Sequence, residues 1–128
     1  MRQILFIALV FSMLTYSCST KKTDTLVVIS TKNLLATYKN TKIGNRKYRG
    51  KVLLVEGTIA EYYRNKKQEI SIVLRDKNQL AGVKCNLIRS SRQIKKPLKY
   101  GQKIKIKGIC IGFKENVILE NCFIVKDK

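Results

Sequence analysis

Lys99-Tyr100-Gly101-Gln102-Lys103-Ile104-Lys105-Ile106-Lys107-Gly108-Ile109-Cys110-Ile111-Gly112 is the stretch that decides the fold. A Gly-Gln turn leads into Lys/Ile alternation from Lys103, and Gly108 interrupts it. Alternation with period two marks a strand with one buried face. A glycine inside such a run marks a bulge or a bend. The stretch therefore predicts a strand entered by a tight turn and bent in its middle, which suits a small, coiled barrel. Ile104 and Ile106 are expected to point inward before Gly108, and Ile109, Ile111 and Phe113 after it. That switch would turn Cys110 outward. It would leave Lys103, Lys105 and Lys107 on a solvated or membrane-facing edge.

The same patterning recurs on both sides. Tyr48-Arg49-Gly50-Lys51 opens a first strong strand, Val52 to Tyr63, with Gly57 in mid-strand as a bulge or sharp coil. Asn65-Lys66-Lys67 is a turn, and Ile70, Ile72 and Leu74 then alternate with Ser71, Val73 and Arg75. After a turn at Asp76 to Gln79, Ala81, Val83, Cys85 and Leu87 form one face of a third strand. Arg89 to Lys96 is polar and long enough for a short helix, which Pro97 ends. The opening stretch supplies the fourth strand. Lys114-Glu115-Asn116 turns into the fifth, Val117 to Val125. Upstream, Ser30 or Thr31 can cap a helix carrying Leu34, Leu35 and Tyr38, broken near Asn40 to Gly44. The fold class read from this order is mainly β. It is a five-stranded OB-fold barrel with an N-terminal helix and a short helix between strands three and four.

Tyr38-Lys39-Asn40, Tyr48-Arg49-Gly50-Lys51, Val55-Glu56-Gly57, Val83-Lys84-Cys85, Gly101-Gln102-Lys103-Ile104, Gly108-Ile109-Cys110-Ile111-Gly112 and Val117-Ile118-Leu119-Glu120-Asn121-Cys122 carry a resemblance. Over about Leu34 to Val125 the chain resembles the tRNA_anti-like family. The resemblance implies an OB fold and, for many members, a lipoprotein of Bacteroidetes. The family name records likeness to anticodon-binding OB domains. The shared motifs are structural, so the resemblance implies no activity and transfers no functional residue.

Met1-Arg2-Gln3 is a short basic start, Ile4 to Leu14 is almost wholly apolar, and Thr15-Tyr16-Ser17 leads to Cys18. The apolar run falls well short of the ~20 residues that a spanning helix needs. With a positive flank before it, it reads as a signal peptide. It resembles a bacterial lipoprotein signal, which implies that Cys18 becomes the lipidated first residue. The usual pattern has Leu three residues before that cysteine; here Thr15 stands there and Leu14 lies one place earlier, as in the looser lipoboxes of Bacteroidetes. The expected organisation is signal peptide 1–17, tether 18–29, helical segment 30–50 and OB-fold domain 51–126. The expected location is the cell envelope, anchored by lipid on the periplasmic side of the inner or outer membrane.

The 128 residues include 27 Lys and Arg against 8 Asp and Glu, giving a formal charge of +19. Such a balance favours anionic partners. The absence of His removes the commonest general base, the usual zinc ligand and every Ser-His or Cys-His pair. The acids are spread thinly, so a non-enzymatic protein without cofactor or metal is expected. OB barrels bind on the face of strands two and three, flanked by the one-two and four-five loops. The candidate face therefore takes in Arg64, Lys66, Lys67, Arg75, Lys84, Asn86 and Lys114, with Ser71 and Val73 between them. An acidic envelope glycan, a lipid headgroup or an acidic protein surface would suit it. Single-stranded nucleic acid is the alternative partner. Tyr62 and Tyr63 beside the first loop could stack bases, but export and a face that itself carries Ser71, Val73, Lys84 and Asn86 with no aromatic disfavour it.

Export permits disulfides. With Cys18 lipidated, Cys85, Cys110 and Cys122 remain. If Glu115 to Val117 form a three-residue loop, Cys110 and Cys122 oppose each other across the last hairpin, within disulfide reach. Cys110–Cys122 is the favoured pair. Cys85–Cys122 is its rival, because strands three and five adjoin in an OB barrel, and three free thiols remain an alternative.

Overall fold

Val52–Arg64 (β2) is the longest strand, and the barrel closes on it. The structure is a computed structural model that describes residues 26–89, 93–94 and 96–126. The expected signal peptide, Cys18 and most of the tether lie outside these residues, as do 90–92 and 95 of the expected short helix. The other elements are β1 (Val27–Ser30), α1 (Thr31–Thr37), α2 (Thr41–Tyr48), β3 (Ile70–Leu74), β4 (Val83–Leu87), β5 (Lys103–Lys114) and β6 (Asn116–Val125).

The first half of β2 pairs antiparallel with β5, and its second half turns to pair with β3. β3 pairs with β4, β4 runs parallel to β6, and β6 pairs with β5. This closed circuit of five strands is the OB barrel. Leu53, Val55, Ile72, Leu74, Val83, Ile106 and Leu119 fill it with almost no exposure. β1 is an addition to the expected plan. Val27–Ser30 runs parallel to Leu53–Glu56 of β2, so the last residues assigned to the tether belong to the sheet.

The expected N-terminal helix is two helices. Ser30 caps α1 by accepting from the Asn33 N–H at 3.2 Å, and Asn40 caps α2 by accepting from Lys42 and Ile43. Tyr38, between them, is the residue that ties the pair to the barrel. Its ring stacks on Tyr48 at 6.5 Å and on Phe113 of β5 at 6.1 Å. Its hydroxyl donates to Asn45 Oδ1 at 3.1 Å and stands 3.3 Å from Cys110 Sγ. Gly44 makes room for the ring, because a Cβ there would lie 2.5 Å from it.

The face switch expected at Gly108 is not there. Ile106, Gly108, Cys110 and Gly112 are all buried, while Ile111 and Phe113 are exposed, so β5 keeps one phase from end to end. Gly108 is small for another reason: a Cβ there would lie 2.5 Å from Cys122 Sγ. The phase change falls in β6, at Asn121. Lys107 pairs with Phe123 but Ile109 pairs with Glu120, so β6 carries an extra residue there, and Asn121 takes φ of 53°. This bulge turns Cys122 inward. A second register shift, between Cys110 and Gly112, returns the ladder to its starting register.

The favoured disulfide fails on the same register. Only Glu115, with φ of 64°, separates the paired Lys114 and Asn116, so the expected three-residue loop does not form. Cys110 opposes Leu119, not Cys122, and faces Tyr38. Cys122 instead meets Cys85 in hydrogen-bonding contact. Among the described residues, Cys85, Cys110 and Cys122 are free thiols and fully buried. Burial, with Cys122 beside it, holds the Cys85 thiol well above its ordinary value, and burial with Cys110 beside it does the same for the Tyr38 hydroxyl. A folded value raised above the unfolded one stabilises fully below the unfolded value and is lost above it. Unfolded thiols titrate near pH 8.5 and phenols near pH 10. The melting temperature should therefore hold up to about pH 8 and fall steadily beyond about pH 9. A rise in stability over that alkaline range would contradict the burial of these groups.

Candidate functional site

The outer face of β2, β3, β4 and β6 is built by register. Glu61 opposes Val73, which opposes Lys84, which opposes Ile118. One row along, Tyr63 opposes Ser71, which opposes Asn86. Partners across a ladder share a side, so these residues stand on one surface. β3 has five residues, so this surface is only about 13 Å long.

Two polar chains run over it. Tyr63 donates its hydroxyl to Glu61 Oε2 at 2.8 Å, and Arg75 holds Glu61 Oε1 at 3.3 Å. The Tyr63 hydrogen bond, with Arg75 beside it, holds the Glu61 carboxyl below its usual range. In the second chain, Ser71 donates to Asn86 Oδ1 at 2.6 Å and Asn86 donates to Glu120 Oε1 at 2.8 Å. Asn86 is thereby fixed by a partner on each side. Lys84 stands between the two chains and makes no salt bridge among the described residues. Together with Ser71, Asn86, Arg89, Glu69 and Glu120 it lines an open groove of about 540 Å³.

Of the residues chosen from sequence, Arg75, Lys84 and Asn86 lie on this face. Lys66 and Lys67 are exposed in the turn that borders one end. Asn65 organises that turn by accepting from the Lys67 and Glu69 N–H groups, both at 2.9 Å. Lys114 sits beyond the other end, where Asn116 Oδ1 accepts from Gly82 N at 2.8 Å. Arg64 does not belong to the face. It pairs with the buried Ile70, donates to the Tyr62 hydroxyl at 3.4 Å, and lines a different hollow with Pro97 and Leu98.

The cause is one residue. Ile59 opposes Leu74, yet Glu61 opposes Val73, so β2 carries an extra residue at Ala60. The bulge lies three positions past Gly57, where the sequence suggested it. It exchanges the sides of Tyr62 and Arg64 against Glu61 and Tyr63. The face therefore carries two carboxylates, Glu61 and Glu120, and an aromatic ring that alternation alone assigns elsewhere. Tyr63 is 51 % exposed on it. The surface is of mixed charge, with Arg75 neutralised and Lys84 left over. Cys18 lies outside the described residues.

A second concavity is apolar. Leu35 and Ala36 of α1, Tyr38, Phe113, Leu80 and Ala81 border about 550 Å³, with Lys32 and Lys39 on its rim. Among the described residues no three His, Cys, Asp or Glu side chains gather as a metal site.

Comparison with known proteins places this geometry. A family model described as tRNA_anti-like matches residues 2–124. Among solved structures, a proposed nucleic acid-binding lipoprotein from Klebsiella pneumoniae subsp. pneumoniae is similar over 78% of this chain and 92% of its own, with 19% identity and a TM-score of 0.63. A chain in the structure of yeast Stn1 and Ten1 is similar over 80% of this chain and 64% of its own, with 10% identity and a TM-score of 0.46. No curated protein matches the chain in sequence. The first likeness is one of fold.

Proposed function

The chain belongs to the tRNA_anti-like family, and from that premise we propose that it is a lipid-anchored lipoprotein of the cell envelope whose barrel is a non-enzymatic binding module for an anionic ligand. The anchor is Cys18, set directly behind an apolar run with a basic start. The Klebsiella relative in fold is itself described as a lipoprotein, which agrees with this reading. The periplasmic side of the inner or outer membrane is where such an anchor leaves the domain.

The observation that carries the ligand reading is Lys84. Its ammonium group stands in a groove beside the fixed amide of Asn86, with the Arg89 side chain at the rim and, among the described residues, no carboxylate bound to it. An acidic group on a glycan or headgroup would pair with Lys84 and hydrogen-bond the clamp. Charge-assisted hydrogen bonds are worth ~1.5–3 kcal/mol. In titrations with a sulfated oligosaccharide, Lys84→Glu should weaken binding by about tenfold or more, the equivalent of ~1.4 kcal/mol. Equal binding by Lys84→Glu and the parent would remove the ligand from this face.

A second reading, single-stranded nucleic acid, gains support from Tyr63. The ring lies half-exposed on the ligand face, and its hydrogen bond to Glu61 raises its hydroxyl above the ordinary value. Stacked bases contribute ~1–3 kcal/mol each. Titrating oligo-dT at two salt concentrations separates the two readings. Binding that falls steeply with salt and is lost in Tyr63→Ala favours nucleic acid, and absence of binding near physiological salt dismisses it.

A further inference from the structure

On the side of the barrel away from β3 and β4, another register row is apolar except for one lysine. Val28 of β1 opposes Leu54 of β2, Leu54 opposes Lys107 of β5, and Lys107 opposes Phe123 of β6. Val28 is 60% exposed and Phe123 50%. Ile109 adjoins the row, and Ile111, 45% exposed, extends it along β5. Single exposed apolar residues are ordinary on a protein surface; apolar side chains gathered on four neighbouring strands, with Lys107 set among them, are a mark of an interaction surface. Of the acids on this side, Glu56 is taken up by Lys105 at 3.3 Å and Glu120, opposite Ile109, by Asn86 at 2.8 Å, while Lys103 is exposed beside the band and Lys107 within it.

We propose that this band docks on the acidic lipid bilayer to which the chain is anchored, so that β5 and β6 lie against the headgroups and the β3–β4 face looks away from the membrane. The proposal rests on the lipoprotein reading of Cys18. The nine peptide steps from Cys18 to Val27 span at most about 30 Å. The tether therefore delivers the domain to the membrane by β1, the strand that carries Val28 of the band. An aromatic ring and aliphatic side chains among lysines are what an anionic interface retains: the apolar groups enter the headgroup boundary and the ammonium groups meet the phosphates. A second copy of the chain is the rival occupant, and the lysines that line the band would then face one another.

The chain contains no Trp, so one introduced Trp is an unambiguous reporter. The lipidated full-length F123W chain is reconstituted into phosphatidylglycerol–phosphatidylcholine vesicles containing brominated lipid, with Y63W as the reporter on the opposite face. Docking predicts blue-shifted F123W emission quenched by half or more, and Y63W emission left unchanged. K103E with K107E should reduce the F123W quenching severalfold. Flotation of the vesicles reads the anchor separately. A chain that floats while F123W stays unquenched overturns the docking and leaves the anchor standing. A chain that does not float overturns both. Quenching that is equal for F123W and Y63W, or a blue shift that follows protein concentration in vesicles without bromine, also overturns it, the latter in favour of a second copy.

Discussion

Tyr38→Ala, between the two helices, should cost about 3–5 kcal/mol of folding stability. The side chain is 3% exposed and touches α2 and β5, while the Tyr38 backbone N–H closes α1 on the Leu34 carbonyl at 3.1 Å. Its removal leaves a cavity between Gly44, Tyr48 and Phe113, and it strands the Asn45 amide oxygen and the Cys110 thiol. Tyr38→Phe keeps the ring and loses only the hydroxyl, so it should cost about 1 kcal/mol. Urea unfolding of both chains checks the ratio. Similar losses for the two variants would mean that the hydroxyl network, and not the packed ring, joins the helices to the barrel.

Gly108→Ala should destabilise by about 1–3 kcal/mol although Ala is ordinarily harmless in a strand. The new methyl would stand 2.5 Å from Cys122 Sγ and 3.2 Å from the Glu120 carbonyl oxygen. The first neighbour is a side-chain atom and can be removed. In a Cys122→Ala background the same substitution should cost clearly less, a coupling of ~1 kcal/mol in a double-mutant cycle. Additive losses would show that Gly108 is needed for its backbone and not for the space it leaves to Cys122.

The same two neighbourhoods show what the sequence could and could not convey. All five barrel strands were readable, because Val, Ile and Leu alternate cleanly along them and Asn, Gly and Lys separate them. The circuit of pairing follows from that order. What alternation cannot show is an inserted residue. Ala60 and Asn121 each leave the local pattern intact while changing which side the following residues occupy. Arg64 left the ligand face and Tyr63 joined it through one such insertion. Cys122 turned away from Cys110 and toward Cys85 through another. Asn121 carried a usable signal: Asn tolerates positive φ better than the β-branched residues around it. β1 was hidden for a different reason. A four-residue strand beside a charged, polar segment has too few positions to display a period.

Sequence legibility was lowest for the ligand face itself. The lysine excess suggested a basic surface, but the acids gather where the register brings them, at Glu61 and Glu120 on either side of Lys84. A face on which Arg75 is paired with Glu61 and Lys84 makes no ion pair among the described residues favours a ligand that presents a localised acid over one that presents a uniform field.

On the function proposed above, Cys18 holds this barrel to a membrane. Detergent phase partition of the parent and of Cys18→Ala, with mass analysis of the N-terminus, tests it most directly. The account predicts that the parent enters the detergent phase carrying an acylated Cys18 as its first residue, and that Cys18→Ala is not acylated. A parent chain that partitions like Cys18→Ala, with no lipid mass on its N-terminus, would contradict it.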